Sequence, residues 1–227
     1  MLQAGQQALC YEKVDGTDIL LGKFFLQSFK TDKNVTTMTC TDYKGRLDEY
    51  NFREGKVYNG ELAGDVIDSI MQAAGIEEYT VTDEVRKCKL YGWLKIQTCR
   101  KALREVLFAC GAVADDSRSE SLNIYRTNRV ITSTIARSRK FSTVTTNNDY
   151  ISDVAVKYPE YTLGAESKQI AKGTYEPGTY TIELSSPVDP QSVEISTGEI
   201  IEVKNNYITF TAVSYTHLRA HETDQYL

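Results

Sequence analysis

A change of hydrophobic period at Gly60 decides what kind of fold this chain can adopt. After it, Leu62, Val66, Ile67, Ile70, Met71 and Ala74 recur at spacings of three and four, one apolar stripe along a helix. Asp65, Asp68, Ser69 and Gln72 turn outward, and Gly75 is placed to end the helix. A second helix is predicted from the N-cap Thr98, with Ala102, Leu103, Val106, Leu107 and Cys110 on one face and Gly111 as its stop. Tyr79-Thr80-Val81 and Leu90 to Ile96 read as strands, the latter with a bulge or bend at Gly92. Val113-Ala114 and Leu122 to Tyr125 read as a hairpin around the polar tip Asp115 to Ser121. Helix, glycine, strand thus occurs twice, at Ala74-Gly75-Ile76 and Cys110-Gly111-Ala112. Two helices that must each bury a stripe pack on one face of a small sheet, so the expected fold class is α+β.

Before the switch the chain reads as β. Phe24, Leu26 and Ser28 alternate with Phe25, Gln27 and Phe29, the polar turn Thr31-Asp32-Lys33-Asn34 follows, and Val35 to Cys40 is rich in β-branched residues. Gly22 to Cys40 is therefore a predicted hairpin, and aromatic residues on both faces of its first strand imply burial on both sides, as in a small barrel or sandwich. Residues 126–150 hold no strong period and are rich in Ser, Thr, Asn and Arg. Alternation then returns with Val154, Val156 and Tyr158, with Tyr180, Ile182 and Leu184, and with Val193 and Ile195. Ile200 to Val203 and Tyr207 to Phe210 flank the tight-turn pair Asn205-Asn206. The expected organisation is a partial β-barrel-like domain at 1–58, a small two-helix α+β module at 59–128, a linker at 129–150 and an antiparallel β domain at 151–212.

Composition excludes several functions. Over 227 residues, 41% apolar and 25% charged, the chain has globular proportions rather than those of a disordered or collagenous one. A formal charge of -5 supplies no cationic field for bulk electrostatic binding of nucleic acid. The longest apolar stretch, Val106 to Ala114, is far shorter than the roughly eighteen residues of a bilayer span, and no signal peptide follows Met1. Cys10, Cys40, Cys88, Cys99 and Cys110 are odd in number and form no Cys-x-x-Cys pair; they read as small hydrophobes in a reducing compartment.

The last residues are set apart. Ser214 to Thr223 resembles the translation of a sequencing-library adapter, familiar from gene fragments assembled out of environmental DNA, so Val213 to Leu227 is left out of the predicted fold. Both histidines, His217 and His221, fall in that string. Without them, Ser-His-Asp and Cys-His mechanisms and most zinc sites lose an essential member, and the gene product is expected to be longer.

Candidate chemistry is sparse. Neither a G-x-G-x-x-G nor a G-x-x-x-x-G-K-[ST] loop occurs among the fourteen glycines. The pairs Asp48-Glu49, Asp83-Glu84 and Asp115-Asp116 are sequence neighbours in turn-like segments and read as solvated turns rather than as carboxylates held across a cleft. No segment matches a calcium loop, and no cofactor is expected. Between Glu120 and Asp149 there is no acidic residue, while Arg126, Arg129, Arg137, Arg139 and Lys140 all lie there. That basic strip is either a solvated linker or a surface facing nucleic acid or an acidic neighbouring subunit. Fifteen tyrosines against seven phenylalanines suit subunit interfaces and ordinary sheet faces equally. Tyr91 and Trp93 could form a sugar-stacking platform, although Leu90, Leu94 and Ile96 around them favour core packing.

Leu21-Gly22-Lys23-Phe24-Phe25-Leu26, then Cys40-Thr41-Asp42-Tyr43 and Arg46-Leu47-Asp48-Glu49-Tyr50, resembles the segment of baseplate hub and tail-associated proteins of long-tailed bacteriophages and Gram-positive prophages in which a barrel strand ends in an Asp. Ala63 to Gly75, Tyr91 to Ile96, Cys99 to Val106 and Ala112 to Ser119 are similar to the helix-strand-helix-hairpin module of the same proteins. The resemblance covers roughly residues 20–128 and rests on the order and spacing of the pieces. It implies a structural protein without catalysis, a ring, commonly trimeric, at the tip of the tail tube that joins tube, spike or fibre and surrounds the passage for DNA. Such a protein resides in the virion tail after assembly in the bacterial host cytoplasm. Members usually begin with more barrel strands than residues 1–40 can supply, so Met1 is expected to be an internal start. The other readings are a cell-surface carbohydrate-binding module, on Trp93 and the tyrosine-rich strands, and a peptidoglycan hydrolase, for which residues 1–212 supply no active site.

Overall fold

The computed structural model describes residues 2–127, 155, 160–213 and 215–226. The first strand, β1 (Gln7–Val14), turns back into β2 (Thr17–Asp32) through Asp15 and Gly16. Their φ angles of 50° and 82° are the two positive values that a two-residue hairpin loop of this hand demands, which glycine adopts freely and Asp tolerates. A second turn at Lys33-Asn34 leads into β3 (Val35–Thr41), the hairpin expected from the β-branched run. β1 pairs with residues 17–25 of β2 along one edge and β3 with residues 25–32 along the other, so the two pairings overlap only at Phe25.

The sheet is open, with β1 and β3 as its two outer strands. Gly22, Lys23, Phe25 and Leu26 are buried at the middle of β2, while both of its ends are exposed. The burial on both sides implied by the aromatic residues holds only at the middle of β2, where the neighbours Phe25 and Leu26 are both buried; Phe24 is half-buried and Phe29 is exposed. No barrel closes among the described residues.

Asp42 opens α1 (Tyr43–Asp48), its carboxylate accepting from the Gly45 N–H at 2.7 Å. The short β4 (Asn51–Phe52) and then β5 (Val57–Leu62) lead straight into α2 (Ala63–Ala73). Its stripe of Val66, Ile67, Ile70 and Met71, continued by Ala74, is buried as expected, but Leu62 sits at the N-cap and is exposed. Next come β6 (Tyr79–Val81), the single turn α3 (Asp83–Arg86), β7 (Lys89–Trp93) and β8 (Gln97–Thr98). The Thr98 hydroxyl caps α4 (Cys99–Cys110) by accepting from the Lys101 N–H, and Gly111 ends the helix in the left-handed conformation, at φ 62°. β9 (Ala112–Asp115) and β10 (Leu122–Arg126) form the expected hairpin, and β6 runs parallel to β10 on its other edge. β5 and β7 pair antiparallel with their register shift between Asn59 and Glu61; the bulge predicted at Gly92 lies instead on the facing strand, at Gly60, while Gly92 stays in register with Tyr58.

One apolar core unites these pieces. α2 packs on α4, which lies along β9, and the buried set runs from Phe25 to Ile124. Phe25, Tyr43, Leu47, Phe52 and Tyr58 share that core with the helices, so it continues across residue 58, where the sequence reading divides the chain. Each fully buried Leu, Ile or Met side chain contributes about 1.5–3 kcal/mol.

Beyond residue 159 the chain is β. β11 (Glu160–Thr174), β12 (Gly178–Glu183), β13 (Glu194–Ile195), β14 (Glu199–Val203), β15 (Tyr207–Ala212) and β16 (Tyr215–Tyr226) make two antiparallel sheets, ordered β11-β16-β13 and β12-β15-β14. Ile208, Phe210, Ala212 and Leu218 form their core. Leu218 belongs to the adapter-like string, which the sequence reading left out of the fold; from Tyr215 to Tyr226 it is strand, paired with β11 and β13. Backbone pairing makes this possible for any chain with some alternation, because the ladder bonds are independent of side-chain identity. Asn205 and Asn206 occupy the β14–β15 turn as expected, and the buried Asn206 amide also donates to the Arg53 carbonyl at 3.2 Å, tying this domain to the chain after β4. The linker at 129–150 and the alternating Val154, Val156 and Tyr158 lie outside the described residues.

Ile67 is fully buried and Phe108, on the outer face of α4, is 81% exposed. Ile67→Ala is expected to lower the unfolding free energy by about 3–4 kcal/mol through the cavity it leaves. Phe108→Ala should stay within about 0.5 kcal/mol. Urea denaturation midpoints of the two variants check this contrast.

Candidate functional site

The N-terminal sheet is held to the helices by a polar joint. Lys23, only 7% exposed, points from the middle of β2 to Glu78, its ammonium 2.8 Å from the carboxylate. Beneath it the fully buried Tyr43 sets its ring edge-on to Phe25, with centroids 5.0 Å apart, and donates its hydroxyl to the Glu120 carbonyl at 2.8 Å. The same hydroxyl lies 3.3 Å from the Glu78 carboxylate. Hydrogen bonding from Lys23 holds the Glu78 carboxyl below the usual carboxylate range, with Tyr43 adding to it, and burial, reinforced by Glu78, pushes the Tyr43 phenol up. Asp116 completes the joint: it accepts from the Tyr43 N–H at 3.2 Å and pairs with Lys44 at 3.3 Å. Arg118 N–H reaches across to the Leu21 carbonyl at 3.0 Å.

Past this joint the sheet carries unpartnered edges and apolar side chains. The outer edges of β1 and β3 have no neighbouring strand among the described residues, and each half of β2 lacks a strand on one side. Leu9, Tyr11, Leu21, Phe29, Val35 and Met38 are exposed along it; Val35 reaches 67%, and Phe29 faces Met38 across the β2–β3 pair. Such an edge is a template for a further strand. On the helical side, Phe108 stands at a groove of about 390 Å³ formed by Leu47, Leu103, Leu107, Val113 and the basic Arg100 and Arg104. A larger cleft of about 630 Å³ lies between residues 52–69 and 190–207, lined by Arg53, Lys56 and Lys204 and by Glu61, Asp65 and Glu202.

The residues singled out in the sequence are scattered. Arg126 ends β10 and spends its guanidinium on the protein itself, donating to the Cys110 carbonyl and the Cys88 sulfur, each at 2.9 Å. The residue is exposed all the same. Arg129, Arg137, Arg139 and Lys140 lie outside the described residues. The carboxylate pairs stay solvated while making local ties: Asp48 holds Arg100 at 2.7 Å and Asp83 pairs with Lys87, both between exposed side chains, and Asp115 accepts from Ser117 and Tyr125. The hydrogen bonds from Ser117 hold the Asp115 carboxyl below the usual range. Trp93 is half-buried, with its indole nitrogen enclosed and the Lys95 ammonium 5.7 Å over its ring, while Leu90 and Leu94 beside it are buried. Among the described residues no three His, Cys, Asp or Glu side chains gather as a metal site, and no helix is long and apolar enough to cross a membrane. The sequence reading overlooked β1, whose signal was the Asp15-Gly16 pair between two alternating runs, and the role of Glu78, which had no signal because its partner is 55 residues away. No family model, curated protein or solved structure matches the chain.

Glu78→Gln is expected to cost about 1–2 kcal/mol near neutral pH, since it leaves the buried Lys23 ammonium without a counter-charge while the half-exposed site admits water. A carboxyl lowered by folding contributes stability above its unfolded value, and that contribution is lost as pH falls through the folded one. The difference between wild type and variant should therefore shrink towards zero as pH falls below the usual carboxylate range. Urea titrations across the acid range measure it.

Proposed function

We propose that this chain is a structural component of a phage tail baseplate or tail-tip hub that works by subunit assembly. The observation that supports this reading best is the open N-terminal sheet, rigidly jointed at its middle and apolar and unpaired at its edges. A sheet of that form adds strands of a neighbouring subunit, and identical subunits that do so head to tail close a ring when the rotation allows. The order of a hairpin sheet, a two-helix module and a β domain fits the resemblance of residues 20–128 to hub proteins. Sister copies, in a trimer, and tube, spike or fibre proteins are the partners of this reading, with DNA passing through the ring without sequence readout and the virion tail as its location. Burial of Phe29, Val35 and Met38 between copies removes apolar surface from water at about 25 cal/mol per Å².

Light scattering on the purified chain tests the proposal. Wild type is expected to form a discrete oligomer, and the pair Val35→Lys and Met38→Lys, both on exposed positions of β3, should shift it to monomer while the far-ultraviolet circular dichroism stays unchanged. A wild-type chain that is monomeric at every concentration and does not join tail particles sinks the reading.

A further inference from the structure

Three of the five cysteines are easily placed. Cys10 and Cys40 lie exposed on β1 and β3, on opposite sides of β2, and cannot meet. Cys99 is buried at the start of α4, where burial pushes its thiol up to about 11. Cys88 and Cys110 are different, because the fold brings them together from 22 positions apart.

Cys88 sits half-buried between α3 and β7, its carbonyl accepting from the Ala63 N–H at 2.8 Å and its thiol directed at the Glu84 carbonyl at 3.3 Å. Cys110 is the last residue of α4 and belongs to the core. The Cys110 thiol has Cys88 as its neighbour: burial pushes it up to about 12, and Cys88 adds to that shift. Arg126 bridges the pair from β10, with Nε on the Cys110 carbonyl and a terminal nitrogen on the Cys88 sulfur. Its guanidinium is the cation beside the Cys88 sulfur. Packing alone does not require an arginine that ties the backbone of one cysteine to the sulfur of another.

We propose that Cys88 and Cys110 form an oxidation site, in which a hydroperoxide oxidises Cys88 and Cys110 then closes a disulfide that staples the start of β7 to the end of α4. In the first step the Cys88 sulfur attacks the peroxide oxygen, the O–O bond breaks, Cys88 becomes a sulfenic acid and the peroxide leaves as an alcohol, or as water from hydrogen peroxide. In the second, the Cys110 sulfur attacks the Cys88 sulfur, the S–O bond breaks, and the thiol proton leaves with the hydroxyl as water. The roles follow from access: Cys88 reaches solvent and Cys110 does not. Arg126 keeps its bond to the Cys110 carbonyl throughout, so its departure from the sulfur leaves it in place. This inference stands apart from the assembly reading, since the pair lies in the α+β module and away from the open sheet.

The test uses the full chain carrying Cys10→Ser and Cys40→Ser, treated with hydrogen peroxide and digested with trypsin without reduction. The expected product joins the dipeptide Cys88-Lys89 to the peptide Glu105 to Arg118, two hydrogen atoms lighter than the separate pieces, and dithiothreitol releases it. Adding Cys110→Ala should abolish the cross-link and leave a Cys88 sulfenic acid that dimedone traps. Arg126→Gln should slow Cys88 oxidation about tenfold. The proposal is overturned if Cys88 stays reduced while Cys99 oxidises, or if Cys88 passes to the sulfinic acid with Cys110 present and no cross-link forms. Because the parent carries both cysteines unchanged, its cross-link is read without relying on the fold of any further variant.

Discussion

Tyr43 is the point on which the two halves of the N-terminal region depend. It is wholly enclosed, its ring meets Phe25 of the sheet, and its hydroxyl reaches the loop before β10 and the carboxylate of Glu78. A buried phenol must hydrogen-bond, so the position of that hydroxyl dictates where the β9–β10 tip and the loop before β6 lie. Lys23 then follows from the same geometry: its ammonium lies in a nearly buried place only because Glu78 is held there by a second partner. Sheet, first helix and hairpin are therefore one rigid body at their meeting point.

Rigidity at the middle leaves the ends of β2 free of the core. The strand is 16 residues long, far more than the helices can cover, and its two partners take opposite edges on opposite halves. The sheet is open because its outer strands, β1 and β3, do not pair with each other. Its apolar residues are left exposed, which is the observation behind the assembly proposal. Longer strands than the fold can use are otherwise a liability in water.

Several charged groups in this molecule serve the fold. Asp68 grips Arg86 with both oxygens, at 2.9 and 3.1 Å, and also accepts from the Tyr79 hydroxyl, which links α2, α3 and β6. The Arg86 hydrogen bonds hold the Asp68 carboxyl below the usual range. Arg126 likewise binds a carbonyl and a sulfur at the far end of α4. A residue that looks like surface charge in a sequence is, in these cases, a clamp between elements.

The longer local elements were legible in the sequence alone, whereas the short α1 and α3 were not, and the strand read from Leu90 to Ile96 ends at Trp93. Stripes at three and four spacing, Thr98 before α4 and glycines after both helices are short-range instructions, and α2, α4 and the β2–β3, β9–β10 and β14–β15 hairpins stand where they point. Asp15-Gly16 belongs to the same class and announces β1. What lay beyond the sequence was every decision taken between distant residues. Alternation says which side chains share a face but not how much of that face a neighbour covers, so Phe29 and Phe25 look alike until the stagger of β1 and β3 exposes one and buries the other. Lys23 with Glu78, Arg126 with Cys88, and Cys88 with Cys110 are likewise made by tertiary packing. Hydrogen bonds and thiol contacts depend on distance in space, which separation along the chain does not encode.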